Sequence, residues 1–113
     1  MSETFKTQIV QRIGRNLTDI MILRLISAHP TWGYNMIKTV ESAYQIKLGH
    51  GRLYPLLNTL EKGGYIQSTK EKHEGRIRKT YQITPKGNHI IKVYNEILKQ
   101  QITMGDLEGT EQK

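Results

Sequence analysis

Apolar residues recur at helical spacing through most of this chain and alternate at strand spacing in one stretch only. Phe5, Ile9 and Ile13 return every four residues and share a face, which predicts a helix over residues 3 to 14 that Gly14 ends or bends. Asn16 or Thr18 then offers an oxygen to cap a second helix, Leu17 to His29. That helix is apolar on most sides, with Leu17, Ile20, Met21, Ile22, Leu23, Leu25 and Ile26, so it belongs at the centre of a domain; Pro30 stops it. A third helix runs from about Gly33 to Tyr44 with Met36, Ile37 and Val40 inward. Gly49 and Gly51 are expected to permit the tight reversal into the next element.

A fourth helix covers about Gly51 to Lys62, where Leu53, Leu56, Leu57 and Leu60 follow the i, i+3, i+4, i+7 rule. Pro55 is out of place five residues in. Either the regular helix starts near Tyr54, with Pro55 in its first turn, or that turn is distorted; the first reading is preferred. Gly63 and Gly64 close the helix. A strand, Tyr65 to Lys72, leads through His73-Glu74-Gly75 into Arg76 to Ile83, with Gly75 at positive φ. There Ile77, Tyr81 and Ile83 alternate with Arg76, Arg78 and Thr80, so one face packs and the other presents cations. Thr84 caps a last helix with Pro85 at its first position, running to about Met104, where Gly105 ends it. Its stripe of Ile90, Ile91, Val93, Tyr94, Ile97, Leu98 and Ile102 exceeds one short contact and predicts packing on a second subunit.

The fold class is therefore mostly α with a small β-hairpin: a winged helix-turn-helix with a C-terminal dimerisation helix. The divisions are an N-terminal helix over 1–16, a DNA-binding winged domain over 17–84, the dimerisation helix over 85–104 and a disordered acidic tail over 105–113.

Charge sharpens the picture. The chain of 113 residues has a net charge of +7, which suits a polyanionic partner. Lys70, Lys72, Arg76, Arg78, Lys79 and Lys86 face only Glu71 and Glu74 in the hairpin region, whereas the tail holds Asp106, Glu108 and Glu111. The absence of cysteine excludes disulfides, thiolate metal sites and cysteine nucleophiles. No apolar run approaches about 18 residues and no signal-like start appears, so the expectation is a cytoplasmic protein with no membrane partner. His29, His50, His73 and His89 lack metal-ligand spacing, and no phosphate-cradling glycine motif or recognisable nucleophile occurs, so neither an enzyme nor a cofactor is expected.

Several pieces resemble the PadR family of transcriptional regulators, in particular its short members with a single C-terminal helix. They are Leu17 to Ile26, Trp32-Gly33-Tyr34, Gly51-Arg52-Leu53-Tyr54-Pro55-Leu56-Leu57, Leu60 to Ile66, and the wing from Glu74 to Gly87. Gly49 and His50 stand where the family often has serine and proline, and Trp32 where it usually has tyrosine. The resemblance implies a homodimeric repressor joined through its C-terminal helices, assisted by the N-terminal ones, on a pseudo-palindromic operator. It also implies, for some relatives, a response to phenolic acids or drug-like cations. A small aromatic effector is therefore a candidate partner, although Tyr94 alone does not define its site.

For DNA contact, the outer face of the fourth helix carries Arg52, Asn58, Thr59 and Lys62; Asn suits adenine, and Arg or Lys suits guanine. A short polar face also serves as a phosphate-binding or solvated surface. Tyr54 is either a hydroxyl donor to phosphate, as the resemblance implies, or a half-buried anchor. Arg76, Arg78 and Lys79 are the wing candidates, the alternative being an edge strand charged against aggregation. Tyr34 and Lys38 are second-tier backbone candidates, and Trp32 reads first as packing. Phe5, Ile9, Ile90, Tyr94, Ile97, Leu98 and Gln101 are the expected dimer contacts. The competing function is a winged-helix module that binds protein or RNA without reading DNA sequence; a MarR-like regulator would need a longer chain.

Overall fold

The structure is a computed structural model that describes residues 3–111. Its elements run α1 (Glu3–Asn16), α2 (Thr18–Ala28), α3 (Gly33–Tyr44), α4 (His50–Lys62), β1 (Ile66–His73), β2 (Arg76–Ile83) and α5 (Pro85–Glu111). Residues 1, 2, 112 and 113, at the ends of the expected first helix and tail, lie outside the described residues.

The core forms where α2 meets α3, α4 and the base of the hairpin. Ile20, Met21, Ile22, Leu23 and Ile26 from α2 are buried against Met36, Ile37 and Val40 from α3 and Leu53, Leu57 and Leu60 from α4. Ile66 and Tyr81 close it from the hairpin. Ile46 and Leu48 also plug it from the short link between α3 and α4.

Local chemistry departs from the expectations at five places. First, Gly14 does not end α1, which continues to Asn16. The glycine instead lets α1 approach closely: a Cβ there would sit 3.2 Å from Ile46 Cδ1 and 3.7 Å from Tyr44 Cβ. Second, neither Asn16 nor Thr18 caps α2. Leu17 holds the cap position without a side-chain bond, and Thr18 Oγ1 donates to the Gly14 carbonyl at 2.8 Å. Third, the reversal after α3 uses neither Gly49 nor Gly51. Gln45 takes the left-handed conformation, φ 55°, and its N–H donates to the Glu41 carbonyl. Gln11 Nε2 then donates to the Gln45 carbonyl at 2.8 Å, tying α1 to this corner.

Fourth, α4 starts at His50, so Pro55 lies inside the helix rather than in its first turn. The bond that Pro55 fails to donate would have gone to Gly51, which is exposed and solvated, so the loss is tolerated. Fifth, α5 does not stop at Gly105; the helix is continuous to Glu111, so over 105–111 the expected disordered tail is replaced by helix. Pro85 at its first position is as expected, and Thr84 Oγ1 accepts from Gly87 N–H at 3.1 Å as the cap.

The sheet is a two-stranded antiparallel hairpin with Ile66 opposite Ile83, Ser68 opposite Tyr81, Lys70 opposite Lys79 and Lys72 opposite Ile77. Glu74 and Gly75 both take positive φ at its turn, which matches the right-handed twist of the strands. Thr31 pairs with Tyr81 through two backbone bonds, 3.2 and 2.8 Å, and so clamps the second edge of β2 near its base.

Candidate nucleic-acid interface

The leucine stripe of α4 faces the core and fixes which of its side chains face outward. Asn58, Thr59 and Lys62 lie exposed along the outer surface. Thr59 Oγ1 donates to the Pro55 carbonyl at 3.0 Å, so its proton is already committed. The Asn58 amide makes no hydrogen bond to any described residue, leaving a donor and an acceptor available on the outer face. Arg52 and Tyr54 flank this surface on opposite sides. Arg52 borders a hollow with Asn16, Asp19, Leu48 and Leu56, on the side away from the hairpin. Tyr54 leans toward the hairpin, with the His50 ring stacked on it at 5.6 Å and 9°.

A cleft of about 570 Å³ separates the hairpin from the start of α3. Trp32, Gly33, Tyr34, Tyr54 and Tyr81 form one part of its lining, and Arg76, Ile77, Arg78 and Lys79 the other. Gly33 is required here. A Cβ at that position would lie 2.6 Å from Tyr54 Oη and 2.9 Å from its Cζ, so only glycine lets the tyrosine lie across the N-terminus of α3. Trp32 is half-buried and not merely packing: the Arg78 guanidinium lies over its ring at 4.9 Å, and His73 tilts toward it at 6.1 Å. These contacts orient the outer half of the hairpin relative to the helices. Lys38 reaches back over Tyr34 at 5.7 Å, one helical turn away. Burial raises the Tyr81 phenol above its usual value, with Glu61 and Tyr54 adding to the effect, so the cleft floor stays neutral.

The hairpin does not divide into an apolar face and a cationic face along its whole length. Paired residues share a face, so Tyr81 and Ile83 continue into Lys79 and Ile77 beyond the core. Tyr81 is buried, but Ile77 is 73% exposed, because no helix reaches the outer half of the strands. Thr80 on the other face is buried, while Arg78 of that face covers Trp32. Cations therefore occupy both faces of the outer hairpin: Lys70, Lys72 and Lys79 on one, Arg76 and Arg78 on the other.

These cations are unneutralised. Among the described residues the only ion pair joins His73 and Glu74 at 4.0 Å, and it exists only when the imidazole is protonated. Glu71, directly across from Arg78, accepts hydrogen bonds from the Thr69 and Thr80 hydroxyls instead. No cluster of histidine and carboxylate groups fit to hold a metal occurs among the described residues, nor is any helix long and apolar enough to cross a membrane. Tyr34, Tyr54, Arg76, Arg78 and Lys79 thus converge on one cleft, with Asn58 and Lys62 along the adjoining helix. His50, Gly33 and Ile77 belong to the same surface. Of these, the Trp32-Gly33-Tyr34 triplet was the signal in the sequence for the close approach.

The remaining candidates lie on α1 and α5. The first half of α5 finds cover in its own chain: Ile90 and Tyr94 border Asp19, Ile20, Leu23, Leu60 and Tyr65, and Arg24 Nη2 donates to Asn95 Oδ1 at 2.6 Å. Leu98 is half-buried and Gln101 exposed. Ile97, Ile102 and Met104 are exposed along the second half, as are Phe5, Ile9 and Ile13 on α1.

A helix-turn-helix followed by an unneutralised basic hairpin defines a winged-helix protein of the transcription-regulator type. Over residues 22–93 the chain matches the family described as transcriptional regulator PadR-like, and it belongs to that family. Its members are transcriptional regulators rather than enzymes. A crystal structure of a Streptococcus mutans protein is 31% identical, covering 79% of this chain and 83% of its own, with a TM-score of 0.66. A transcriptional regulator from Clostridium thermocellum is 27% identical over 84% of this chain and 95% of its own, at a TM-score of 0.70. A PadR-like transcription factor from Bacteroides fragilis is 21% identical over 92% of this chain and 97% of its own, at 0.74, and so shares the fold. No curated protein sequence matches the chain.

Proposed function

We propose that this regulator is a cytoplasmic homodimer that represses its target genes by binding a pseudo-palindromic operator in double-stranded DNA. The observation that carries the reading is the convergence of Arg76, Arg78 and Lys79, none paired with a carboxylate, beside the open face of α4. α4 enters the major groove. Asn58 is its foremost base reader, being the amide with both hydrogen-bonding groups free, and Lys62 and Arg52 reach guanine edges or phosphates. Thr59 contributes an acceptor, its proton being held by Pro55. Tyr54 and Tyr34 approach the phosphate backbone across the cleft, with Lys38 behind them. Arg76, Arg78 and Lys79 hold the neighbouring backbone.

The exposed apolar residues Ile97 and Ile102 on α5, with Phe5 and Ile9 on α1, support association of two copies. Leu98 and Gln101 line the same contact, while Ile90 and Tyr94 support it from the protomer core. A symmetric pair would present two α4 helices about 34 Å apart, one turn of duplex. Electrophoretic mobility measurements with the promoter of the protein's own operon test the reading. Binding is expected to be tight, salt-sensitive and far stronger than to random duplex; equal affinity for both at physiological salt would refute specific regulation.

A further inference from the structure

Phosphate binding leaves one side chain of the hairpin without a purpose. Ile77 is the most exposed of the large apolar residues described, at 73%. It sits opposite Lys72, one rung from the closing pair of His73 and Arg76. Arg76 and Arg78 flank it along the strand, and Lys70 and Lys79 share its face of the hairpin. It also borders the cleft with Tyr34 and Tyr54, on the face of the strand opposite Arg78. An exposed branched apolar side chain near the end of a hairpin invites unwanted strand pairing, and a cation there would serve both solubility and phosphate contact better.

We propose that Ile77 is a wedge that enters the minor groove of the bound duplex and partly unstacks one base step. The idea rests on the DNA-binding reading above. With α4 in the major groove, the hairpin meets the adjoining minor groove, about 6 Å wide, which admits a side chain but not the two-stranded ribbon itself. Isoleucine is among the residues that insert between base steps and kink duplexes, and cations beside it hold the groove walls while it does so. Lys72 and Arg76 stand in that position, one across the strand pair and one adjacent in sequence. The energetic consequence is selection by deformability: pyrimidine–purine steps unstack most easily, so they are favoured where the hairpin lands, without any hydrogen bond to a base edge.

The test uses the full-length chain and duplexes selected by the wild-type protein from a random pool of synthetic DNA. If no sequence is enriched, the specific-regulator reading fails, independently of the wedge. With an enriched duplex in hand, the wild type is compared with Ile77→Thr, which keeps a branched strand-forming side chain at an exposed site, and with Arg76→Ala. The wedge predicts roughly tenfold weaker binding for Ile77→Thr with an unchanged salt slope, loss of the preference for a flexible step in the flank, and loss of the fluorescence rise of 2-aminopurine placed at that step. Arg76→Ala is expected to lower the salt slope while keeping the fluorescence rise. Binding of Ile77→Thr within twofold of wild type, or a wild-type complex in which no flanking step shows the fluorescence rise, would overturn the proposal.

Discussion

The hairpin and α5 both begin in the core and both run off the body of the molecule, but they carry opposite chemistry past its edge. The hairpin is apolar at its base, where Ile66 and Tyr81 are buried, and cationic beyond it, from Lys70 through Lys79. α5 is likewise anchored by Ile90, Ile91 and Tyr94, but its overhang exposes Ile97, Ile102 and Met104. Apart from Arg78 and His73, which meet Trp32, these overhangs leave their surface open, so its polarity states which partner completes it. Unpaired cations suit a polyanion in water, and a row of exposed aliphatics suits a dry protein surface. Ile77 is the exception that crosses the division, an aliphatic among the cations.

The two overhangs share one corner, and breaking it should have the largest effect. Thr84 N–H donates to the Tyr65 carbonyl at 3.2 Å, Thr84 Oγ1 donates to the Gly64 carbonyl at 2.6 Å, and Lys86 Nζ donates to the Gly63 carbonyl at 2.7 Å. A Cβ at Gly87 would run into the Tyr65 carbonyl and the Ile83 side chain. Gly87→Ala is therefore expected to destabilise the protein by about 3 kcal/mol in urea unfolding. An effect under about 1 kcal/mol would mean that the corner yields easily and that the two overhangs are not fixed relative to each other.

Charging the apolar overhang comes next. Ile97→Asp is expected to weaken self-association about a hundredfold in analytical ultracentrifugation, while the monomer keeps its helicity, since the residue is already 49% exposed within one chain. A wild type that sediments as a monomer at micromolar concentration would remove the partner assigned to α5. Gly33→Ala acts on the other side of the comparison and more weakly. The added methyl group displaces the flexible end of Tyr54 rather than backbone, so stability should fall by less than about 1 kcal/mol while operator affinity falls about tenfold. Equal losses in both would make Tyr54 a packing residue only.

The smallest effect is on pH. The buried Tyr81 phenol titrates above its ordinary value of 10.0, chiefly because burial disfavours the anion, with Glu61 and Tyr54 adding repulsion. The unfolded chain loses this proton first, so the contribution is complete below about pH 10 and disappears as pH rises from there through the folded value. Tyr81→Phe should flatten the alkaline limb of a denaturation-versus-pH curve and leave the neutral region's slope unchanged; an identical limb in both proteins would contradict the burial argument.

Elements with strong local signals were legible in the sequence. The bounds of α3, the leucine stripe of α4, the turn at Gly75 and the cap at Thr84 each depend on a few neighbouring residues, and each matches the structure. Failures came at two glycines and a proline whose usual role as helix boundaries was overridden. Gly14 looked like a stop but serves close helix packing against Ile46, and Gly105 did not interrupt α5. Pro55 looked like a helix start, yet the bond it lacks falls on a solvated face, so the helix begins earlier. Alternation on β2 implied that Ile77 packs, but periodicity cannot tell how far the core extends along a strand. The cations of the site were visible as a charge run, whereas the Arg78–Trp32 stack and the seating of Tyr54 over Gly33 join residues far apart in sequence.

The central claim is that the cationic overhang grips the phosphate backbone. Titrating operator duplex at a series of salt concentrations, with wild type and with Arg76, Arg78 and Lys79 all replaced by alanine, tests it most directly. The log–log slope of affinity against salt should fall by roughly 0.9 for each phosphate that the variant no longer neutralises, about 2.7 per protomer, while dimerisation and thermal stability stay unchanged. A triple variant that binds with the wild-type slope would contradict the account.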